Sequence, residues 1–332
     1  MSVSSPAVLT SVRPLLAVEG GRLILRGTGF AVGSTPPVIT IGDLPARALF
    51  WSPQRVVVLV PWGLEGGEML VRIDGLGDAV VSIGTTWATG LHQVDSPVLD
   101  AEGRVYVTYS GTRGQEAPVS IFRVTRQGTR EPFASGIVNA TSMALGPDGA
   151  LYVSSRFEGT VYRVRADGSH ETIASELGVA CGLAFDREGW LYVGDRSGTV
   201  FRVRDGVVSK FATLPPSVAA FHLAMSPTDE LHVAAPTLAP YDHVYRVTRQ
   251  GEVTALPFVF GRPQGIAFDA DGSLHVVEAL AGASGVYRLT ASGPPELRVS
   301  GGALIGVAFN DRGEVVVASN ETAFRFAPRY GS

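Results

Sequence analysis

The chain has 332 residues and a formal net charge of −4, so no overall basic excess argues for a nucleic-acid partner. Forty glycines and 21 prolines beside 45% hydrophobic residues suit an all-β chain with many tight turns. Cys181 is the only cysteine, which excludes an intrachain disulfide and any cysteine-rich metal or iron–sulfur site.

Met1 to Pro6 lacks a charged stretch followed by an apolar core, and no later run is long and apolar enough to cross a membrane. A cytoplasmic protein is expected, or a secreted one if a leader has been removed. From Pro6 to Ile83 the chain shows no 40-residue repeat. Val8–Val12, Arg22–Arg26, Val38–Ile41, Arg55–Val60 and Met69–Ile73 read as strands, punctuated by Gly20-Gly21, Gly27-Thr28-Gly29 and Gly66-Gly67. Residues 1–83 are therefore expected to form a small β-sandwich. Pro14, the run from Gly20 to Phe30, and Val60-Pro61 before the Gly66-Gly67 turn resemble the IPT/TIG family of immunoglobulin-like domains. That resemblance implies a structural or binding module. No Pro/Ser-rich or charged linker follows, so the sandwich is expected to sit firmly near the sixth and first blades of the domain that follows.

From residue 84 to 332 the chain repeats. Cys181 to Thr213 reads as four short strands with turns at Asp186–Gly189, Asp195–Gly198 and Asp205-Gly206. The second strand recurs at Val105, Leu151, Leu191, Leu231, Leu274 and Val315, at spacings of 46, 40, 40, 43 and 41 residues. Four strands per unit of about 40 residues predict a propeller blade, and six units predict a six-bladed ring. The last unit stops after three strands. Thr85–Leu91 aligns with the fourth strands, so this N-terminal segment is expected to pair with Ala323–Ala327 and close the last blade. The fold class is thus all-β: an immunoglobulin-like sandwich followed by a six-bladed β-propeller. Pro263 to Val276 and its counterparts resemble the NHL-repeat propellers and the wider gluconolactonase/regucalcin-like group, over about three quarters of the chain.

The innermost strands of a propeller line its channel. The residues just before their apolar cores are Asp95, Thr141, Cys181, Phe221, Gln264 and Ile305, with Gln93, Asn139, Val179, Ala219, Arg262 and Ala303 two positions earlier. Ligand contacts are expected from Gln93, Asn139, Thr141, Phe221, Arg262 and Gln264. Arg262 would meet an anionic or carbonyl group, and Phe221 would stack on an apolar one. Asp95, His222 and Glu278 are the candidate catalytic groups, since an Asp95–His222 or Glu278–His222 pair could do acid/base work. Structural readings stand beside these: a channel-filling His222, an Asp195 that ties a blade turn, and His232 and His275 in the place of Tyr152 and Tyr192. Cys181, in a small apolar context, reads as a buried inert thiol.

The gluconolactonase group binds a divalent cation in its channel. Asp95-Ser96-Pro97 and Pro263-Gln264-Gly265 are similar to its ligand motifs, which implies Asp95 and Gln264 as candidate ligands for Ca2+ or another divalent cation. Cys181 and Phe221 stand where that group offers Asn. The leading functional reading is a binding protein that takes a small molecule, carbohydrate or peptide at the channel mouth. The alternative is a divalent-metal-dependent lactonase or related hydrolase. A virginiamycin-type lyase is a third reading, although no matching motif surrounds His275 and Glu278.

Overall fold

The computed structural model describes residues 8–30, 35–279, 282, 284–290 and 293–327. The leader reading at Met1–Pro6 lies outside them, as does the tail beyond Ala327. Among the described residues no helix is long and apolar enough to cross a membrane.

The N-terminal residues form two facing sheets. One runs Val8–Arg13, Arg22–Thr28, Arg55–Leu59, Ala48–Ser52. The other runs Leu16–Ala17, Gly77–Ile83, Gly67–Ile73, Ile39–Ile41, Leu44–Pro45. Strand alternation makes the core: Leu23, Leu25, Val56 and Val58 turn inward from the first sheet and meet Ile41, Val71, Val81 and Ile83 of the second. Leu16–Ala17 and Leu44–Pro45 are too short to show a period, and Ala48–Ser52 is an edge strand without clean alternation.

Six four-stranded antiparallel units follow, and together they are propeller-like. Unit one is Val98–Leu99, Val105–Thr108, Ile121–Val124 and Arg130–Ala134. Unit two is Ala140–Leu145, Leu151–Ser155, Thr160–Val164 and His170–Ala174. Unit three is Ala180–Phe185, Leu191–Asp195, Thr199–Arg204 and Val207–Thr213. Unit four is His222–Met225, Leu231–Ala234, Asp242–Val247 and Val253–Phe260. Unit five is Pro263–Phe268, Leu274–Glu278, Gly285–Arg288 and Glu296–Ser300. Unit six is Leu304–Phe309, Val315–Ser319 and Thr322–Phe326, with Thr85–Thr89 as its fourth strand. Thr85 pairs with Arg325 and Thr89 with Thr322. No sheet closes on itself. Instead, each first strand touches the first strand of the next unit, and that of unit six touches that of unit one.

The sandwich is joined to unit five by β-pairing. Leu16–Ala17 lies parallel between Val299–Ser300 of unit five and Ser82–Ile83 of the sandwich, so one sheet runs through both. Val18 then enters the apolar cluster of Val299, Leu304, Phe324 and Phe326, from units five and six. Arg22 adds hydrogen bonds from its amide to Ser300 Oγ at 2.7 Å and from its guanidinium to Gly282 O at 2.5 Å. The neighbours are therefore units five and six, not six and one as the chain order at Gly84 suggested. A two-residue strand that skips past Arg22–Thr28 sets the position.

The closing strand is also held by side chains. Arg325 donates to Glu314, both less than a tenth exposed, and its guanidinium lies 4.6 Å from the Trp87 ring centroid. Burial alone would raise the Glu314 carboxyl, but hydrogen bonds from Arg325 and Asn310 hold it below its ordinary range. Replacing Arg325 by Met removes Glu314's buried cation and leaves it Asn310 at 2.6 Å and Arg126 at 3.8 Å, and is expected to lower stability by roughly 2 kcal/mol in urea unfolding at neutral pH. The depressed Glu314 contributes stability that is complete above the unfolded carboxyl pKa of about 4.3 and is lost as pH falls through the lower folded value. Arg325→Met should flatten that acid limb. An unchanged urea midpoint would contradict the role given to this pair.

Candidate functional site

One face of the propeller carries the starts of the first strands and the ends of the second. Residues at the second-strand ends tie down the segments that enter the first strands. Ser155 Oγ donates to Val138 O at 2.6 Å. Asp195 accepts from Val179 N at 2.8 Å. Glu278 accepts from Arg262 N at 2.8 Å and from Gly261 N. Asn320 donates to Gln93 O at 2.8 Å. Both Glu278 oxygens thus serve backbone amides, and the structure gives Glu278 a fastening role instead of a pairing with His222. Asp195 does the same work, in line with its structural reading.

The first strands converge at a narrow neck. The pairings Met143–Val153, Leu183–Val193, Leu223–Val233, Ile266–Val276 and Val307–Val317 put Ser142, Gly182, His222, Gly265 and Gly306 at one level, with Ser96 completing it from unit one. A Cβ on Gly306 would lie 2.5 Å from Ser96 Cα and 2.9 Å from Asp95 O; one on Gly265 would meet Ser96 Oγ and lie 2.7 Å from Ile305 O. Backbones this close leave no room for side chains. Ser96 Oγ accepts from Val307 N at 3.3 Å and Ser142 Oγ from Leu183 N at 3.2 Å, linking neighbouring units.

His222 is the one large side chain at this level, and it is 1% exposed. Its Nδ1 lies 2.6 Å from Oδ1 of Asp95, which enters from unit one, three units away around the ring. The same oxygen accepts from Ser96 N at 2.6 Å. A carboxylate can only accept, so the hydrogen bond places a proton on Nδ1. Nε2 is buried without a protein partner. An imidazole oriented by a carboxylate with its other nitrogen uncommitted is chemically able to accept a proton or a hydrogen bond.

The remaining candidates divide. Gln93 donates to Asp95 O at 2.7 Å while its Oε1 is buried without a partner. Gln264 is 7% exposed, and its Nε2 is likewise buried and unpartnered. Asn139 is fully engaged: it donates to Ser110 O and Thr112 O at 2.6 and 2.9 Å and accepts from Gly114 N at 2.7 Å. Thr141 Oγ1 donates to Asn139 O at 2.7 Å. These two shape a loop and have little to offer a ligand. Phe221 is wholly buried against Gly194 and Cys181 in the core between units three and four, so it cannot stack on a ligand. Arg262 is exposed. Burial pushes the Cys181 thiol up to about 12, with Asp95 adding to the effect, which makes it inert. His275 Nε2 lies 2.9 Å from Asp269 Oδ2, as Tyr192 OH lies 3.1 Å from Asp186 Oδ2, and His232 Nδ1 lies 3.2 Å from Glu230 O. Both histidines are turn fasteners. The glycines at 265 and 306 went unread in the sequence. Their signal was present as a small residue directly after each ring position of units five and six.

The donor set is thin for calcium, which takes six to eight oxygens. Asp95 Oδ1 is committed to His222 and Ser96, and among the described residues no three His, Cys, Asp or Glu side chains gather closely enough to hold a metal.

The strictosidine synthase-like N-terminal family model matches residues 182–203, the first to third strands of unit three. No curated protein matches the chain. Among solved structures, the chain is similar to a protein provisionally assigned as a gluconolactonase (19% identity, TM-score 0.59, 73% of this chain and 90% of that one). It is also similar to an auxiliary nutrient binding protein from Bacteroides thetaiotaomicron (12%, 0.56, 97% and 98%). A third is catalytically inactive virginiamycin B lyase from Staphylococcus aureus with quinupristin (15%, 0.53, 87% and 94%). At these identities the likeness shows the fold, a β-propeller.

The His222 tautomer is directly measurable. Long-range 1H–15N correlation spectra of the folded protein should show a proton on Nδ1 of His222. A ring protonated at Nε2 alone would contradict the hydrogen bond to Asp95.

Proposed function

We propose that the chain is a binding protein: an IPT/TIG-type immunoglobulin-like domain over residues 1–83 and a six-bladed propeller over 84–332, whose mouth takes a small molecule, carbohydrate or peptide. Six blades are supported by the cyclic succession of first-strand contacts and by Thr85–Thr89 supplying the fourth strand of unit six. The observation that carries the binding reading is the set of buried polar atoms near the neck with no protein partner: Gln93 Oε1, His222 Nε2 and Gln264 Nε2. Leaving such an atom unpaired costs roughly 1–3 kcal/mol, and a ligand's polar group supplies the missing partner. The nutrient binding protein that spans nearly the whole chain supports the same reading at the level of architecture.

The alternative, a divalent-metal-dependent lactonase, rests on Asp95 and Gln264 as cation ligands. The donor chemistry described above does not suit that cation.

A thermal-shift screen of sugars, amino acids, short peptides and lactones, with and without Ca2+ or EDTA, tests the choice. A true ligand at a hundred times its Kd should stabilise the protein by about 2.7 kcal/mol. The shift should persist in EDTA and vanish in Gln264→Leu. A shift that requires Ca2+ would return the reading to the metal-dependent hydrolase.

A further inference from the structure

The mouth that holds the neck also carries arginines without acidic partners. Arg156 follows the second strand of unit two, is half-buried, and makes no hydrogen bond or ion pair among the described residues. Arg196 follows the second strand of unit three. Its Nη2 donates to Val218 O at 2.8 Å, but its Nε is buried with no partner. Arg113 is exposed on the loop that Asn139 clamps at Ser110, Thr112 and Gly114. That loop reaches unit two, since a Cβ on Gly114 would lie 2.9 Å from the Phe157 ring. The turns that carry Arg156 and Arg196 are also packed together, since a Cβ on Gly159 would lie 2.6 Å from Gly178 O and one on Gly178 would lie 2.7 Å from Asp195 Oδ2. Burial lowers the Arg156 pKa, Cys181 opposes that shift, and Arg196 and Arg113 add to it. Arg156 and Arg196 are also within electrostatic reach of Cys181, which in turn feels Asp95 of the neck.

Among the described residues no carboxylate forms an ion pair with Arg113, Arg156 or Arg196, and Glu158, two residues after Arg156, accepts from Tyr162 OH at 2.9 Å. Asp195 and Glu278 are taken up by backbone amides, and Asp242 by Thr237. Two half-buried cations and an exposed third of like charge repel each other, and an oxyanion placed among them relieves that cost while accepting charge-assisted hydrogen bonds. The same rim is apolar in an unusual way. Outside the fourth strands, the large apolar side chains exposed on the propeller among the described residues are Phe157, Val218, Leu238 and Tyr241, and all stand on loops of this mouth. Phe157 is 53% exposed and directly follows Arg156.

We propose that Arg113, Arg156 and Arg196 form an oxyanion-recognition site, and that the ligand is a small acid, a carboxylate or phosphate ester, with an apolar or aromatic body that lies on Phe157. This deepens the binding reading and rests on it. The arginines hold the anion at the rim, and the neutral polar end of the ligand reaches toward the neck.

Phenyl phosphate, inorganic phosphate and phenol are the probes, titrated by calorimetry into the full-length protein at low salt. Phenyl phosphate should bind more tightly than either fragment. Arg156→Met and Arg196→Met should each weaken it roughly tenfold, as expected for loss of one charge-assisted contact. Arg165→Met, on the opposite face, should leave it unchanged, and raising salt to about 0.5 M should weaken binding in the wild type. Arg156→Lys, which keeps the charge and loses the fork, should fall between. Equal affinity in wild type and both Met variants overturns the site. Binding of phenol but not of phenyl phosphate overturns it while leaving a binding mouth. Failure of all three probes, together with no hit in the ligand screen, overturns both readings.

Discussion

The close approach of the first strands at the axis is the constraint on which the rest depends. At Gly265 and Gly306 a single added carbon would strike backbone of the next unit or of unit one. Backbones that nearly touch leave a neck into which one large side chain, His222, extends, and its reach carries it to Asp95, three units around the ring. Two elements 127 residues apart are thus joined by one short hydrogen bond, in surroundings from which water is largely excluded.

The mouth is built by a division of labour within each unit. Second-strand ends carry Ser155, Asp195, Glu278 and Asn320, whose side chains fasten the entering segments. Short turns on the opposite face carry Asp148, Asp186 and Asp269, which accept from a Tyr, or pair with a His, of the second strand. These fastened positions free the loops between second and third strands to vary. The insertion around Arg113 and the one around Leu238 both fall there. The sandwich, docked by Leu16–Ala17 on unit five, adds a rigid body beside this surface.

Much of the fold was legible because the 40-residue spacing and the Asp-x-x-Gly turns are local signals. The closing strand was legible because Thr85–Thr89 copies the fourth-strand pattern. The sandwich's place was not, because Leu16–Ala17 is two residues long and its partner lies 283 residues away at Val299. At the site, the candidate Asp95–His222 pair could be named from residue types, and the structure brings the two side chains together. Glu278 and Asn139 could not be separated from ligand-binding groups by type alone, since a carboxylate or amide at a mouth looks the same whether it faces a ligand or a backbone amide. Phe221 was misplaced because the ring position alternates sides of the strand. In unit four the side facing the neck falls to His222, and Phe221 drops into the core. The arginine group is assembled from three units and leaves no contiguous motif.

His222 and Asp95 are joined across the neck, and a double-mutant cycle tests that contact most directly. Urea unfolding of wild type, Asp95→Ala, His222→Ala and the double variant isolates their coupling. A buried hydrogen bond to a charged group should give a coupling of roughly 1.5–3 kcal/mol. Additive losses, with a coupling within about 0.3 kcal/mol of zero, would contradict a direct contact between the two.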